Sequence, residues 1–228
     1  MRDLERVSIV GAGRLGSAIA AALRADGVVV EGPLRRGELP GPDAGVVLLC
    51  VPDREIAEAA AGIPAGPVIG HCSGATTLAP LGSRPAFSLH PLMTVPADGH
   101  ADFRDVACAI AGHPVAARLA ARLGMRPITV ADPDRAAYHA AASMASNFLV
   151  ALEEAATRLG RTAGLDRADL VPLVRATVEN WARLGPDALT GPAARGDLAT
   201  LERHREAIRD RAPDLLALYD EMVEVVRR

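Results

Sequence analysis

VSIVGAGRLGSAIAAAL, residues 7–23, passes from an apolar run through Gly11-Ala12-Gly13-Arg14-Leu15-Gly16 into a stretch of small residues with helical character. A lone G-x-G-x-x-G means little. Here it follows a predicted strand and opens a predicted helix, which is the context a dinucleotide-binding turn requires. Gly11 permits the tight turn, Gly13 lets a pyrophosphate approach the backbone, and Gly16 allows the helix to pack closely on the strand. The helix start at Arg14 and Leu15 then offers free N–H groups and the positive end of a dipole to the phosphates.

The rest of the first half repeats the alternation of short apolar runs with helical patterns that marks a parallel βαβ sheet. Strands are predicted at Val7–Val10, Val28–Val30, Val46–Val51, Val68–His71, Ala86–Leu89, Ala107–Ala111 and Pro127–Val130. Helices are predicted at Leu15–Ala25, Arg54–Ala61 and Val115–Leu123. Between the second and third strands only GPLRRGELPGPD intervenes, too short and too rich in Gly and Pro for a crossover helix, so a loop is expected there. From Asp132 onward the texture becomes helical throughout. Helices are expected from Asp132-Pro133 to about Gly160 or Gly164, over Ala168–Leu184, from an Asp197 N-cap, and after Pro213. The fold class is therefore α/β, a Rossmann-like N-terminal domain with a mainly parallel sheet over residues 1–131. An all-α helical domain for substrate binding or dimerisation follows over 132–228.

Composition narrows the function. The 228 residues are half hydrophobic with a formal net charge of −3. Charges of both signs are scattered, which argues against nucleic acid and anionic membrane as partners. The first residues, MRDLERVSIV, contain no apolar leader run, and cytoplasmic localisation is expected. The most apolar helical stretch carries His139, Ser143, Ser146 and Asn147 and reads as a buried helix, not a span. Cys50, Cys72 and Cys108 lack CxxC spacing and read as reduced structural thiols; no His or Cys spacing suits a metal. The chain has no lysine. Schiff-base chemistry and lysine acid–base roles are excluded, and anion recognition passes to arginine forks.

Cofactor choice turns on three side chains. Glu31 stands about twenty residues beyond the turn, where a carboxylate would take a ribose hydroxyl and favour NAD. Arg35 and Arg36 follow, and tandem arginines suit a 2′-phosphate or simply a solvated surface. Pro33-Leu34 extends the strand past Glu31 and brings the arginines to its tip, favouring NADP over NAD. In LLCVPDREI, Val51, Pro52 and Asp53 should border the nicotinamide ribose at a strand's carboxyl end, and Asp53 equally suits a helix N-cap. His71 and Ser73 in VIGHCSGATT, with Ser88 and His90 in AFSLHPLMTVP, close the next two strands on the same side. His100 and His113 lack such company and read as surface residues.

In the helical half, His139, Ser143, Ser146 and Asn147 are spaced i, i+4, i+7, i+8 and share one face of an apolar helix, as residues lining an internal cleft would. The stretch ALTGPAARGDLAT, residues 188–200, reads as a connector in which Gly191-Pro192 stops one element and Asp197 caps the next. It leaves over Arg195, a candidate bidentate clamp for a substrate carboxylate, with Thr200 and His204 one and two turns on.

HCSGA, SLHPL, YHAAASMASN and ALTGPAARGDLATLERH together resemble a family of Rossmann-like proteins with a C-terminal helical domain of unknown function, over nearly the whole chain. More distantly the layout is similar to the β-hydroxyacid dehydrogenase, ketopantoate reductase, prephenate dehydrogenase and pyrroline-carboxylate reductase group. The resemblance implies NAD(P) on the N-terminal domain and a substrate cleft built against helices, often across a dimer. HPLM resembles the histidine-proline-methionine segment of prephenate dehydrogenases, with His90 at the matching position. One departure stands out. β-Hydroxyacid dehydrogenases and ketopantoate reductases carry a helical Lys four residues before an Asn; Asn147 fits the Asn, but Ser143 occupies the Lys position.

Two functions are compatible with these residues. The first is an NADP-dependent oxidoreductase that reduces a small carbonyl or imine acid, a ketopantoate-like 2-oxo acid among them. His139 or His90 would be the acid, Ser143 and Asn147 would polarise the substrate, and Arg195 would hold its carboxylate. The second is a non-catalytic dinucleotide-binding sensor or assembly protein. The Ala/Leu-rich helical half predicts a homodimer in either case.

Overall fold

Val7, Ile9, Val46 and Leu48 point to one side of a sheet, and Val10, Val47 and Leu49 to the other, all buried. Strands covered on both faces read as unbroken apolar runs, which is why these segments were legible. The computed structural model describes residues 4, 6–97, 99 and 101–228, so His100 lies outside the described residues. The chain divides into two compact units, residues 1–146 and 147–228.

The first unit is a seven-stranded sheet of order β2-β1-β3-β4-β5-β6-β7. Its strands are β1 (Arg6–Val10), β2 (Val29–Leu34), β3 (Val46–Leu49), β4 (Val68–His71), β5 (Ala86–Pro91), β6 (Ala107–Gly112) and β7 (Arg126–Thr129). All neighbours run parallel except β5 and β6. Helices α1 (Arg14–Ala25) and α3 (Val115–Arg122) pack on the Val7/Ile9 face, and α2 (Ile56–Gly62) on the Val47/Leu49 face. No helix joins β2 to β3, as the length of that segment predicts. The order reverses at β1, which lies between β2 and β3. In open α/β sheets ligands bind at such a switch point, beyond the carboxyl ends of the strands.

The first unit extends beyond residue 131 through α4 (Arg135–Ser143), and the division falls instead after Ser146. The reason is chemical: Arg135 and Tyr138 of α4 bond to Ser88 and His90 of β5. Asp132 does not cap the helix with its side chain. Its carboxylate accepts from Arg135 Nε at 3.0 Å, and a short 3-10 turn, Asp132–Asp134, precedes α4. A π-helical segment, Met144–Phe148, follows α4.

The second unit consists of α5 (Leu149–Arg161), α6 (Arg167–Leu184), α7 (Gly191–Arg195), α8 (Leu198–Arg211) and α9 (Leu216–Arg227). A capping box between Asp166 and Asp169 starts α6. Asp197 caps α8 as expected, its carboxylate accepting from the Thr200 N–H at 3.1 Å. The Gly191-Pro192 step does not end an element; it begins α7, with Pro192 in the first turn where its missing N–H costs nothing. No described helix is long and apolar enough to cross a membrane.

Candidate active site

The turn after β1 is shaped by contacts that only glycine allows. At Gly11 φ is +111°, and a Cβ would lie 2.3 Å from the Cys50 carbonyl oxygen. At Gly16 a Cβ would lie 2.1 Å from the Gly11 oxygen, so α1 seats directly on the turn. At Gly13 nothing stands within 4 Å of an added Cβ, and the space in front of the backbone is open. Gly13 is the N-cap of α1, with no side-chain cap and no acidic residue in the first turn. An uncapped helix N-terminus facing open space is what a pyrophosphate requires, so the residues present fit a dinucleotide.

Two cavities flank this turn. The first, of about 420 Å³, is lined by Gly11, Ala12 and Gly13 and by Arg35 and Arg36 from the tip of β2. The second, of about 450 Å³, is lined by Arg14, Leu15, Asp53, Ser73 and His90 among others. Gly13, Val51 and Pro52 border both. An extended ligand lying over Gly13 would thus meet the arginines at one end and His90 at the other.

At the arginine end, Glu31 is not among the residues lining the cavity. Its strand register sets it beside Ser8, whose hydroxyl donates to it, and the Gly41 N–H donates at 2.9 Å. The Ser8 bond, followed by the Gly41 bond, holds this carboxyl below its ordinary pKa. Leu34 ends β2, and the arginines follow at its tip. The Arg36 guanidinium pairs with Glu55 at 2.6 Å, and the Arg35 N–H donates to Glu38 at 2.6 Å.

At the histidine end, Asp53 is not a helix cap; its carboxylate accepts from Ser73 Oγ at 2.7 Å and Thr76 Oγ1 at 3.2 Å. Ser73 Oγ in turn accepts from the Ala75 and Thr76 N–H groups. The loop after β4 is thereby pinned to the cavity wall. His71 is wholly buried; its Nδ1 accepts from the Ser73 N–H at 3.2 Å, which leaves the proton on Nε2 to donate to the Thr77 carbonyl. Burial, ahead of the other influences, lowers its pKa. His71 is a structural member of this loop.

His90 lies at the far end of β5 and borders the second cavity. Its Nδ1 is 2.7 Å from Tyr138 Oη, and its ring lies 6.2 Å from that of His139. Burial first, then His139 and Arg135, lower its pKa to about 4, while burial raises Tyr138 to about 12. At Gly74 a Cβ would come within 2.8 Å of His139 Cδ2 and 2.9 Å of His90 Cε1, so loop and imidazoles converge. Beneath them lies Arg135, 1% exposed, bonded to Ser88 Oγ, to Asp132 and to the Ser73 carbonyl.

The structure thus brings His90, His139, Asp53 and Ser73 together within the first unit. Ser143 closes α4 one turn beyond His139. Asn147 falls in the π-helical segment that follows α4. Asn147 and Arg195 belong to the second unit, where Arg195 is exposed at the end of α7. His113 accepts from the Val115 N–H just before α3. Arg135 and Tyr138 escaped the sequence reading. The one available signal was a charged and an aromatic residue in the first turns of an otherwise alanine-rich helix.

The profile of the family described as a domain of unknown function (DUF2520) matches residues 106–225. No curated protein matches the chain. Among solved structures, a Bacteroides fragilis protein provisionally assigned as an NADP oxidoreductase superposes with TM-score 0.82 at 20% identity, over 100% of this chain and 99% of its own. A Thermotoga maritima protein gives 0.76 at 25% identity, over 97% and 96%. A reductive aminase from Aspergillus terreus, in complex with NADPH4, cyclohexanone and allyl amine, gives 0.71 at 16% identity, over 98% and 95%. These likenesses establish a shared Rossmann-like fold with a helical C-terminal region.

Proposed function

The chain belongs to the DUF2520 family, and we propose that it is an NADP-dependent oxidoreductase that reduces a small carbonyl or imine acid. The observation that carries this reading is the pair of cavities meeting at Gly13, with arginines in one and a half-buried His–Tyr pair beside the other. Similarity in fold to reductases, the Aspergillus terreus reductive aminase among them, supports it. A bound NADPH supplies a hydride to the electrophilic carbon of the substrate. Gly11, Gly13 and the start of α1 hold the pyrophosphate, Val51, Pro52 and Asp53 border the nicotinamide ribose, and Ser73 braces Asp53. His90 is the polar group that meets the substrate.

NADPH oxidation across a panel of 2-oxo acids, cyclic imines and their analogues without the carboxylate tests the reading. Turnover of at least one acid, weakened by His90→Ala, is expected. Absence of turnover with intact NADPH binding would favour a dinucleotide-binding sensor.

Arg35 and Arg36 select the 2′-phosphate, because Glu31 is held by Ser8 and Gly41 while both arginines line the cavity at the β2 tip, where Arg36 would exchange its exposed pairing with Glu55 for the phosphate. Charge-assisted bonds to phosphate are about twice as strong as neutral ones. Replacing both arginines by alanine should weaken NADPH binding about 100-fold, at roughly 1.4 kcal/mol per arginine. NADH binding should change little, and isothermal titration with both nucleotides measures the difference.

A homodimer is part of the same proposal. No residue of α6 is buried, and Leu173 and Trp181 are 65% and 64% exposed. Phe148 and Val150 are similarly open. A second copy of this chain is the occupant proposed for these side chains, and sedimentation equilibrium should give twice the 23.7 kDa chain mass.

A further inference from the structure

His90 sits between two groups that restrict it differently. On one side Tyr138 Oη is 2.7 Å from Nδ1; on the other, Cε1 and Nε2 lie against Gly74. A phenol O–H is the stronger donor of the pair, and an imidazole lone pair is the stronger acceptor. The bond therefore runs from Tyr138 to Nδ1, which leaves the His90 proton on Nε2. His71 shows the same tautomer one strand away, fixed by a backbone donor at Nδ1.

The charged and titratable surroundings favour the same state. Arg135, Tyr138 and His139 face His90 from α4, His71 from β4, Asp53 from the turn after β3, and Cys108 from β6. Arg135 brings a permanent positive charge, paired with Asp132 at 3.0 Å, and Asp53 acts on His90 in the opposite sense. Burial adds to the cost of a second cation there.

We infer that His90 is presented to the substrate as a neutral imidazole with its proton on Nε2, fixed by Tyr138, and that it polarises the substrate oxygen or nitrogen as an uncharged donor. This rests on the reductase reading for its substrate, but not for the state of the imidazole. His90 is the catalytic residue; Tyr138 and Arg135 are positioning residues. As the C–H bond forms, the π pair of the substrate moves onto the atom that faces Nε2–H. The alkoxide so formed, or the amide ion from an unprotonated imine, takes its proton from water and releases hydroxide.

The test is ¹⁵N-detected NMR of the histidines in the full chain, with His90 assigned by its loss in His90→Gln. The expected result is a single Nε2–H tautomer, neutral from about pH 5 to about pH 8. Tyr138→Phe removes the bond that stabilises the neutral form, so it should yield mixed tautomers and raise the His90 pKa by about one unit or more. Protonation of wild-type His90 near pH 6.5, or a proton on Nδ1, would overturn the inference. Kinetics supply the second arm. His90→Ala should lower kcat by about 10²–10³ with the KM for NADPH unchanged. His90→Gln keeps an uncharged donor and should recover much of that loss, whereas equal losses in both would overturn the inference. If the wild type fails to bind NADPH, the reductase reading falls while the NMR result still decides the tautomer.

Discussion

Gly11→Ala is expected to abolish NADPH binding and to lower stability by about 3 kcal/mol. Two costs add. The backbone holds φ at +111°, which an L side chain rarely adopts, and the new Cβ would fall 2.3 Å from the Cys50 oxygen and 2.7 Å from its carbonyl carbon. Both atoms are main chain at the end of β3, so neither can swing aside. The turn must move, and with it the N–H groups at the start of α1. Gly13→Ala is the matched control. Its φ of −75° suits alanine and its Cβ would meet no atom within 4 Å, so urea denaturation should show near-normal stability. Its methyl nevertheless enters the space proposed for the pyrophosphate, and NADPH binding should still weaken. Equal destabilisation in the two variants would contradict this account of the turn.

Arg135→Met should cost about 3 kcal/mol of stability, with the loss visible as a lower urea midpoint. Methionine fills much of the arginine's volume but donates nothing. Ser88 Oγ, wholly buried, loses its bond, and the Ser73 carbonyl loses its weaker one at 3.5 Å. Asp132 is 45% exposed and can return to water, which keeps the cost below that of breaking a fully buried ion pair. Because Arg135 joins α4 to β5 and to the loop after β4, the loss should reach the His90–Tyr138 pair as well. A change below about 1 kcal/mol would show that the packing of α4, and not these bonds, holds the helix in place.

The central strands were legible because a doubly covered sheet leaves a strong mark in sequence: Val46–Leu49 is uniformly apolar and wholly buried. The phosphate turn was legible for a related reason, since its glycines answer steric demands that other residues cannot meet. Side-chain partnerships across strands were not. Glu31 stood at the spacing of a ribose ligand, yet the parallel register with β1 gave it to Ser8. Asp53 suited a helix cap, but Ser73 and Thr76, brought alongside by β4, claimed its carboxylate. Arg135 is one arginine in a lysine-free, arginine-rich chain, and its partner Ser88 lies 47 positions away, beyond any local pattern.

The reductase reading depends first on a dinucleotide resting across Gly13, between the β2 arginines and His90. Equilibrium titration of the full chain with NADPH, followed by isothermal calorimetry and repeated with NADH, measures that directly. Saturable binding at one site per chain is predicted, tighter for NADPH than for NADH, and lost in Gly11→Ala. No binding of either nucleotide to the folded wild type, or binding unaffected by Gly11→Ala, would contradict it.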